Sequence, residues 1–266
     1  MSAEQLDLFS VLGIAPDREP QPTASPPRPV AAELDDDALL AAIPDAGLAD
    51  GPALAHEAGR RRLAAAVPAL ERLCRRFTGF GRDRAVPEQV AALDALAMIG
   101  GRDAADAVAR IIVKGAVQGP TLATAVATAA LLQSRLPTDV VAAFLRHASP
   151  AVRADACRLA PASPAVIAIL LKMLADEDAD VRASAACALG RLGRPEARVP
   201  LSRLLRLAPT LEVIDAITAV GDEEWMILLA RIVRTVPQLA EAAHAALDAI
   251  DHPRARQLIG GMMQRR

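Results

Sequence analysis

Four histidines, three cysteines and a few acidic clusters are the residues of this chain that could do chemistry, and their spacing argues against most of it. His56, His147, His244 and His252 form no HExxH pair or other ligand spacing, and a His-Glu step occurs only at His56-Glu57, so no metal site is expected. Cys74, Cys157 and Cys187 are odd in number, far apart and set in helical patterns. They read as small buried hydrophobes in a reducing compartment, with neither a disulfide framework nor zinc spacing. Gly79-Phe80-Gly81 lacks the third glycine and the preceding strand of a nucleotide-binding loop, and no GxSxG or Walker sequence occurs. The acids at 176–180 and 222–224 stand where helices begin, and capping and the helix dipole account for them. Trp225 opens an apolar run and reads as a core or groove residue. No catalytic residue, cofactor or metal is assigned, and the chain reads as a non-enzyme.

Two other groupings suit recognition. The first is Gln5-Leu6-Asp7-Leu8-Phe9, where an amide and three apolar anchors surround one acid. Behind it Pro16, Pro20, Pro22, Pro26, Pro27 and Pro29 rule out helix and sheet, which makes the start a motif on an extended tether. The second lies between positions 60 and 84, where eight arginines face only Glu71 and Asp83, a net charge of +6. Arg60, Arg61, Arg62, Arg72, Arg75 and Arg76 could form a phosphate-contacting patch. Alternatively they are solvated helix faces, partly neutralised by the acids of the preceding segment (Glu33, Asp35, Asp36, Asp37, Asp45 and Asp50). Net charge over the whole chain is −2, so no global field favours nucleic acid or an acidic membrane.

The pentapeptide at Gln5 to Phe9 resembles the bacterial sliding-clamp-binding motif, QL[S/D]LF, at every position. That resemblance implies docking into a hydrophobic cleft of the DNA polymerase III β clamp. Gln5 would bond to clamp backbone, and Leu6, Leu8 and especially Phe9 would fill apolar subsites, with Asp7 facing solvent. A few anchors in pockets, carried on a mobile tether, suit such docking. The competing reading is an amphipathic turn, EQLDLFSVLGI, folded back to cap the first helices.

The elements behind these groups follow from composition. Of 266 residues 53% are hydrophobic but only 2% aromatic, and Tyr is absent. Such an Ala/Leu-rich core suits closely packed helices. No signal-peptide pattern opens the sequence, and the weakly polar run at 122–132 is too short to span a bilayer, so a soluble, cytoplasmic protein is expected. Three regions are delimited: a tail at 1–33, an acidic connecting segment at 34–51, and a helical body at 52–266.

The clearest unit of that body is 163–194, SPAVIAILLKMLADEDADVRASAACALGRLGR. Val166, Ile169, Leu170, Met173 and Leu174 recur at three- and four-residue spacing and form one apolar face. Ser163 is the expected cap of the first helix and Asp180 that of the second, whose inward residues are Val181, Ala185, Ala188 and Leu189. Gly190 and Gly193 are the expected left-handed stop. Helices are predicted over 52–66, 69–77, 88–99, 103–114, 120–133, 138–147, 150–160, 164–175, 179–192, 195–207, 211–220, 223–234, 237–250 and 253–263. Gly100 and Gly190 lie ninety residues apart, and Gly221 follows thirty-one later. A thirty-residue hairpin that cannot bury its own apolar face implies a stack of about seven.

LLKMLADEDADVRASAACALGRLGRPEA resembles a HEAT-like repeat of the short bacterial type, also seen in phycobilisome lyases. SPAVRADACRLA is a second, partial match. The resemblance implies an all-α, right-handed α-solenoid of about seven HEAT-like hairpins behind a disordered N-terminal tail. It also implies a ladder in which Arg153 and Arg182 link turn acids between repeats, broken over 211–220 where the arginine is missing. The di-iron hydroxylases and alkylpurine DNA glycosylases built on such repeats need His-Glu pairs or several aromatics that this chain lacks. The functions implied are a scaffold tethered to the clamp with an unknown protein on its concave face, a bilin lyase-like or chaperone role, or a nucleic-acid-binding solenoid using 60–84.

Overall fold

The computed structural model describes residues 30–47, 49–218 and 222–263, and these contain fifteen α-helices joined by short turns, with no strand among the described residues. In chain order they are α1 (Asp36–Ala42), α2 (Gly51–Arg60), α3 (Val67–Arg76), α4 (Pro87–Ile99) and α5 (Gly101–Val113). Next come α6 (Gly119–Leu131), α7 (Thr138–Phe144), α8 (Pro150–Arg158), α9 (Pro164–Met173) and α10 (Ala179–Arg191). The last five are α11 (Arg198–Leu207), α12 (Leu211–Ile217), α13 (Glu223–Thr235), α14 (Ala240–Ala249) and α15 (Pro253–Met263). Proline opens seven of them at the first or second helical position, where its missing N–H costs no helical bond.

Odd- and even-numbered helices form two layers of one solenoid. In the even layer α2 packs on α4, α4 on α6, and so on without a break to α14. In the odd layer the side-by-side contacts are α3 on α5, α7 on α9, α11 on α13 and α13 on α15. The even helices bury mostly alanine at their seams, such as Ala92 and Ala95, Ala125 and Ala129, Ala185 and Ala186, Ala243 and Ala246. Short side chains let their backbones approach, and a stack whose one layer packs closer curves toward that layer. Gly190 shows how close. A Cβ there would lie 2.6 Å from the Ala216 carbonyl oxygen on α12 and 2.7 Å from Leu201 on α11.

Several expectations need correction. Gly190 is a helical packing residue, and the left-handed stop is Gly193 alone, at φ 65°. Arg62 and Gln133, both at φ 53°, take the same place after α2 and α6. All three junctions close alike, with N–H bonds from Leu63 to Ala58, Ser134 to Ala129 and Arg194 to Leu189. The cap of α10 is Asp178, which accepts from the N–H groups of Asp180 and Val181, while the Ser163 side chain makes no capping bond. The predicted helices at 52–66, 195–207 and 237–250 each contain a 3₁₀ turn, Ala64–Ala66, Pro195–Ala197 and Pro237–Leu239.

The acidic segment belongs to the helical body. Asp35 caps α1 by accepting from the Ala38 N–H, and Leu39 and Ile43 are fully buried against α2 and its neighbours. α1 and α2 therefore make the first hairpin, and seven odd–even hairpins end with α15 packed on α13 and α14. Of the expected tail at 1–33, residues 1–29 lie outside the described residues, and the end of it forms a 3₁₀ turn at Ala31–Glu33 rather than disordered chain. The buried apolar residues fall into two clusters, one from α1 to α6 and one from α7 to α15, joined through partly buried Leu136, Phe144 and Leu159.

Candidate protein-interaction groove

A groove of about 870 Å³ runs along the even layer across α8, α10 and the start of α12. Its walls are short side chains, Ala151, Ala154, Ala183 and Ser184, because these helices spend alanine where they meet. Its polar floor is one ion cluster. The Arg158 guanidinium donates to Asp155 on its own helix at 2.6 Å and to both Glu212 oxygens on α12, at 2.8 and 3.1 Å. Arg191 of α10 approaches Glu212 at 3.6 Å and donates to the Cys157 carbonyl at 3.4 Å. Three hairpins are thus tied through Glu212. Burial pushes the Asp155 carboxyl above its ordinary range, with Arg158 opposing and Glu212 adding to the rise. Asp178 and Asp180 line the rim, so acids outnumber bases around the opening and a cationic segment would complement it.

The repeat ladder is built beside this groove. Arg153 donates to both Asp176 oxygens, at 3.0 and 2.8 Å, from one hairpin to the turn of the next. It also donates to the His147 and Ala148 carbonyls of its own turn. Arg182 makes the same own-turn contacts, to the carbonyls of Asp176 and Glu177. Among the described residues it forms no ion pair, since the following turn, Ala208-Pro209-Thr210, carries no acid. The ladder therefore breaks after a single rung.

Burial or hydrogen bonding engages most of the groups that could react. The thiols of Cys74, Cys157 and Cys187 are buried, and burial pushes each up to about 12, so they stay protonated. His147 and His252 accept backbone N–H bonds from Ser149 and Arg254 at helix starts. No cluster of three metal-binding side chains occurs among the described residues. Trp225 is buried and donates to the Ser202 hydroxyl at 2.9 Å, which makes it a core residue.

Of the recognition groups, Gln5, Leu6, Asp7, Leu8 and Phe9 lie outside the described residues. The six arginines named as a patch do not act together. Arg60 and Arg61 converge on Glu57, at 2.7 and 2.6 Å, and hold its carboxyl down to about 2. Arg61 also pairs with Asp36 at 2.8 Å. Arg62 is the left-handed stop after α2. Arg75 stands 3.8 Å from Glu71, which Arg110 holds at 2.7 Å, and Arg76 donates to the carbonyls of Pro44 and Ala46. Arg72 is exposed. The acidic segment does partly neutralise this face. The Arg158–Glu212 pair joins residues 54 positions apart and has no local signal in the sequence.

Residues 137–221, which carry the groove, the ladder and α7 to α12, match the family described as HEAT repeats. This part of the chain is built of HEAT-like repeats. An engineered protein whose crystal structure comes from a structural genomics consortium is similar at 17% identity, over 82% of this chain and 97% of that one, with a TM-score of 0.37. No curated protein matches the sequence. No helix among the described residues is long and apolar enough to cross a membrane.

Proposed function

We propose that this protein is a non-enzymatic HEAT-like adaptor that holds one protein partner on its even-layer groove while its N-terminal peptide docks on the DNA polymerase III β sliding clamp. The observation that carries the adaptor reading is the groove itself. Three hairpins expose small side chains around a fixed ion cluster, and HEAT repeats generally mediate protein interactions through such surfaces. The clamp reading rests on the match of Gln5, Leu6, Asp7, Leu8 and Phe9 to the motif at each position, with six prolines between that peptide and α1. Recognition of this kind needs few residues, because anchors seated in pockets dominate the binding energy. The partner suited to the groove is a basic or helical segment, given the acids Asp155, Asp178, Asp180 and Glu212 around it. A synthetic peptide of residues 1–14 titrated into purified β clamp tests the clamp half. Saturable binding that Phe9→Ala abolishes is expected, and equal binding by both peptides would remove that half of the proposal.

A further inference from the structure

The turn between α3 and α4, residues 77–86, belongs to neither the groove nor the tail, and it is built in an unusual way. This chain has only four phenylalanines and one tryptophan. Phe80 is placed at the tip of the turn and left 62% exposed. The turn is not loose. Phe80 donates its N–H to the Phe77 carbonyl, and the Thr78 hydroxyl donates to the Arg75 carbonyl at 2.7 Å. The Gln118 side-chain amide reaches over from the next hairpin to the carbonyls of Gly79 and Phe80, at 2.7 and 3.1 Å. Beyond the tip, the Val86 N–H donates to the buried Thr121 hydroxyl at 3.0 Å. Gly119 lets the two turns touch, since a Cβ there would fall 2.3 Å from the carbonyl oxygens of Gly81 and Arg82. The Phe80 ring meets Phe77 edge-on, with centroids 6.2 Å apart, which fixes its plane and leaves the ring in solvent.

The turn that carries that ring holds two arginines and one acid, Asp83. Arg82 and Arg84 flank it in the turn, and Arg72 lies on the exposed side of α3. Lys114 follows the last residue of α5, one turn beyond Arg110, as Arg75 stands one turn beyond Glu71 on the adjacent α3. Among the described residues Arg72, Arg82, Arg84 and Lys114 form no ion pair, in contrast to Arg60 and Arg61, which Glu57 neutralises. A rigid, exposed aromatic face among unpaired cations is what a single-stranded nucleic acid requires: phosphates neutralised by the cations and a base stacked on the ring. A duplex offers no open base face, and a membrane interface would call for several apolar side chains where this turn exposes one.

We infer that the turn at 77–86, with Phe80 as the stacking platform and Arg72, Arg82, Arg84 and Lys114 as phosphate contacts, is a binding site for single-stranded nucleic acid. This site is separate from the groove and from the pentapeptide, and it uses no clamp.

The test is fluorescence anisotropy of a fluorescein-labelled twelve-residue oligodeoxythymidylate titrated with the full chain between 50 and 200 mM salt. Binding at the low end is expected, with log K falling against log salt at a slope of about −3 for four cations. Phe80→Ala should weaken binding about tenfold while leaving that slope unchanged, and Phe80→Leu should weaken it equally, because it keeps apolar bulk without a ring to stack on. The double variant Arg82→Glu, Arg84→Glu should flatten the slope by about one to two. Phe9→Ala should bind as the unaltered chain does, which separates this site from the pentapeptide. Circular dichroism confirms that each variant is folded. Absence of binding at 50 mM salt would overturn the inference, as would indifference to both Phe80 variants. Equal competition by a duplex of the same length, by polyglutamate or by phosphatidylserine vesicles would also overturn it.

Discussion

At the scale of single residues, ion pairs and backbone geometry set how the fold responds to pH and substitution. The Glu57 carboxyl is held at about 2, against an ordinary 4.5, by hydrogen bonds from Arg60 and then Arg61. Asp176 is lowered too, first by its hydrogen bond from Arg153. A carboxylate depressed in the folded chain contributes stability that is fully present above its unfolded value and is lost as pH falls toward the folded one. The urea midpoint should therefore stay level from pH 8 to pH 6 and fall from about pH 4.5 toward pH 2. Glu57→Gln should flatten part of that fall; an unchanged acid limb would show that the pair contributes nothing. Gln133 tests the backbone. It holds φ 53° at an exposed left-handed stop where Gly193 stands in the 163–194 unit. Relieving that strain with Gln133→Gly should raise stability by about 0.5–1 kcal/mol, after the added unfolded-state freedom of glycine is offset. Urea denaturation reads the change, and a loss of stability would contradict it.

At the scale of elements, packing separates what could be read in the sequence from what could not. The apolar spacing of Val166, Ile169, Leu170 and Met173, and of Val181, Ala185 and Leu189, was legible because a buried helix face repeats every three to four residues. The two glycines of the same unit were not distinguishable. Both follow an alanine-rich stretch, and only the neighbouring helix shows that Gly190 is there for contact and Gly193 for the turn. The stretch at 38–43 allows one or two helical turns before Pro44, and α1 fills it, but that Leu39 is buried against α2 was not legible, since that burial depends on the neighbouring helix. The Arg158–Glu212 cluster and the Gln118 brace on the 77–86 turn join distant hairpins, so they could not be read at all before the stack was known. Gly190→Ala should cost about 1–3 kcal/mol, because its methyl meets backbone on α12 that has no room to yield. Equal stability of that variant would mean the α10–α12 seam is looser than it looks.

At the scale of the whole molecule, two buried clusters share partly buried Leu136, Phe144 and Leu159 where α6 packs on α8. Stability in a stacked array is carried by neighbour contacts, so damage should stay within the half that receives it. Leu70→Ala and Leu189→Ala should each cost about 2–5 kcal/mol, with hydrogen-exchange protection lost mainly from α1–α6 in the first case and from α7–α15 in the second. Uniform loss along the chain in either variant would show one cooperative core. Function follows the same division of space. The segment that matches HEAT repeats, 137–221, carries the groove, the first half carries the Phe80 turn, and in sequence the pentapeptide precedes six prolines. As proposed, the chain works as an adaptor whose first contact is the β clamp through Gln5 to Phe9. Calorimetric titration of the full-length chain into purified clamp tests it most directly. Saturable binding that Phe9→Ala removes and Arg158→Ala leaves intact is expected. Binding unaffected by Phe9→Ala, or none at all by the unaltered chain, would contradict it.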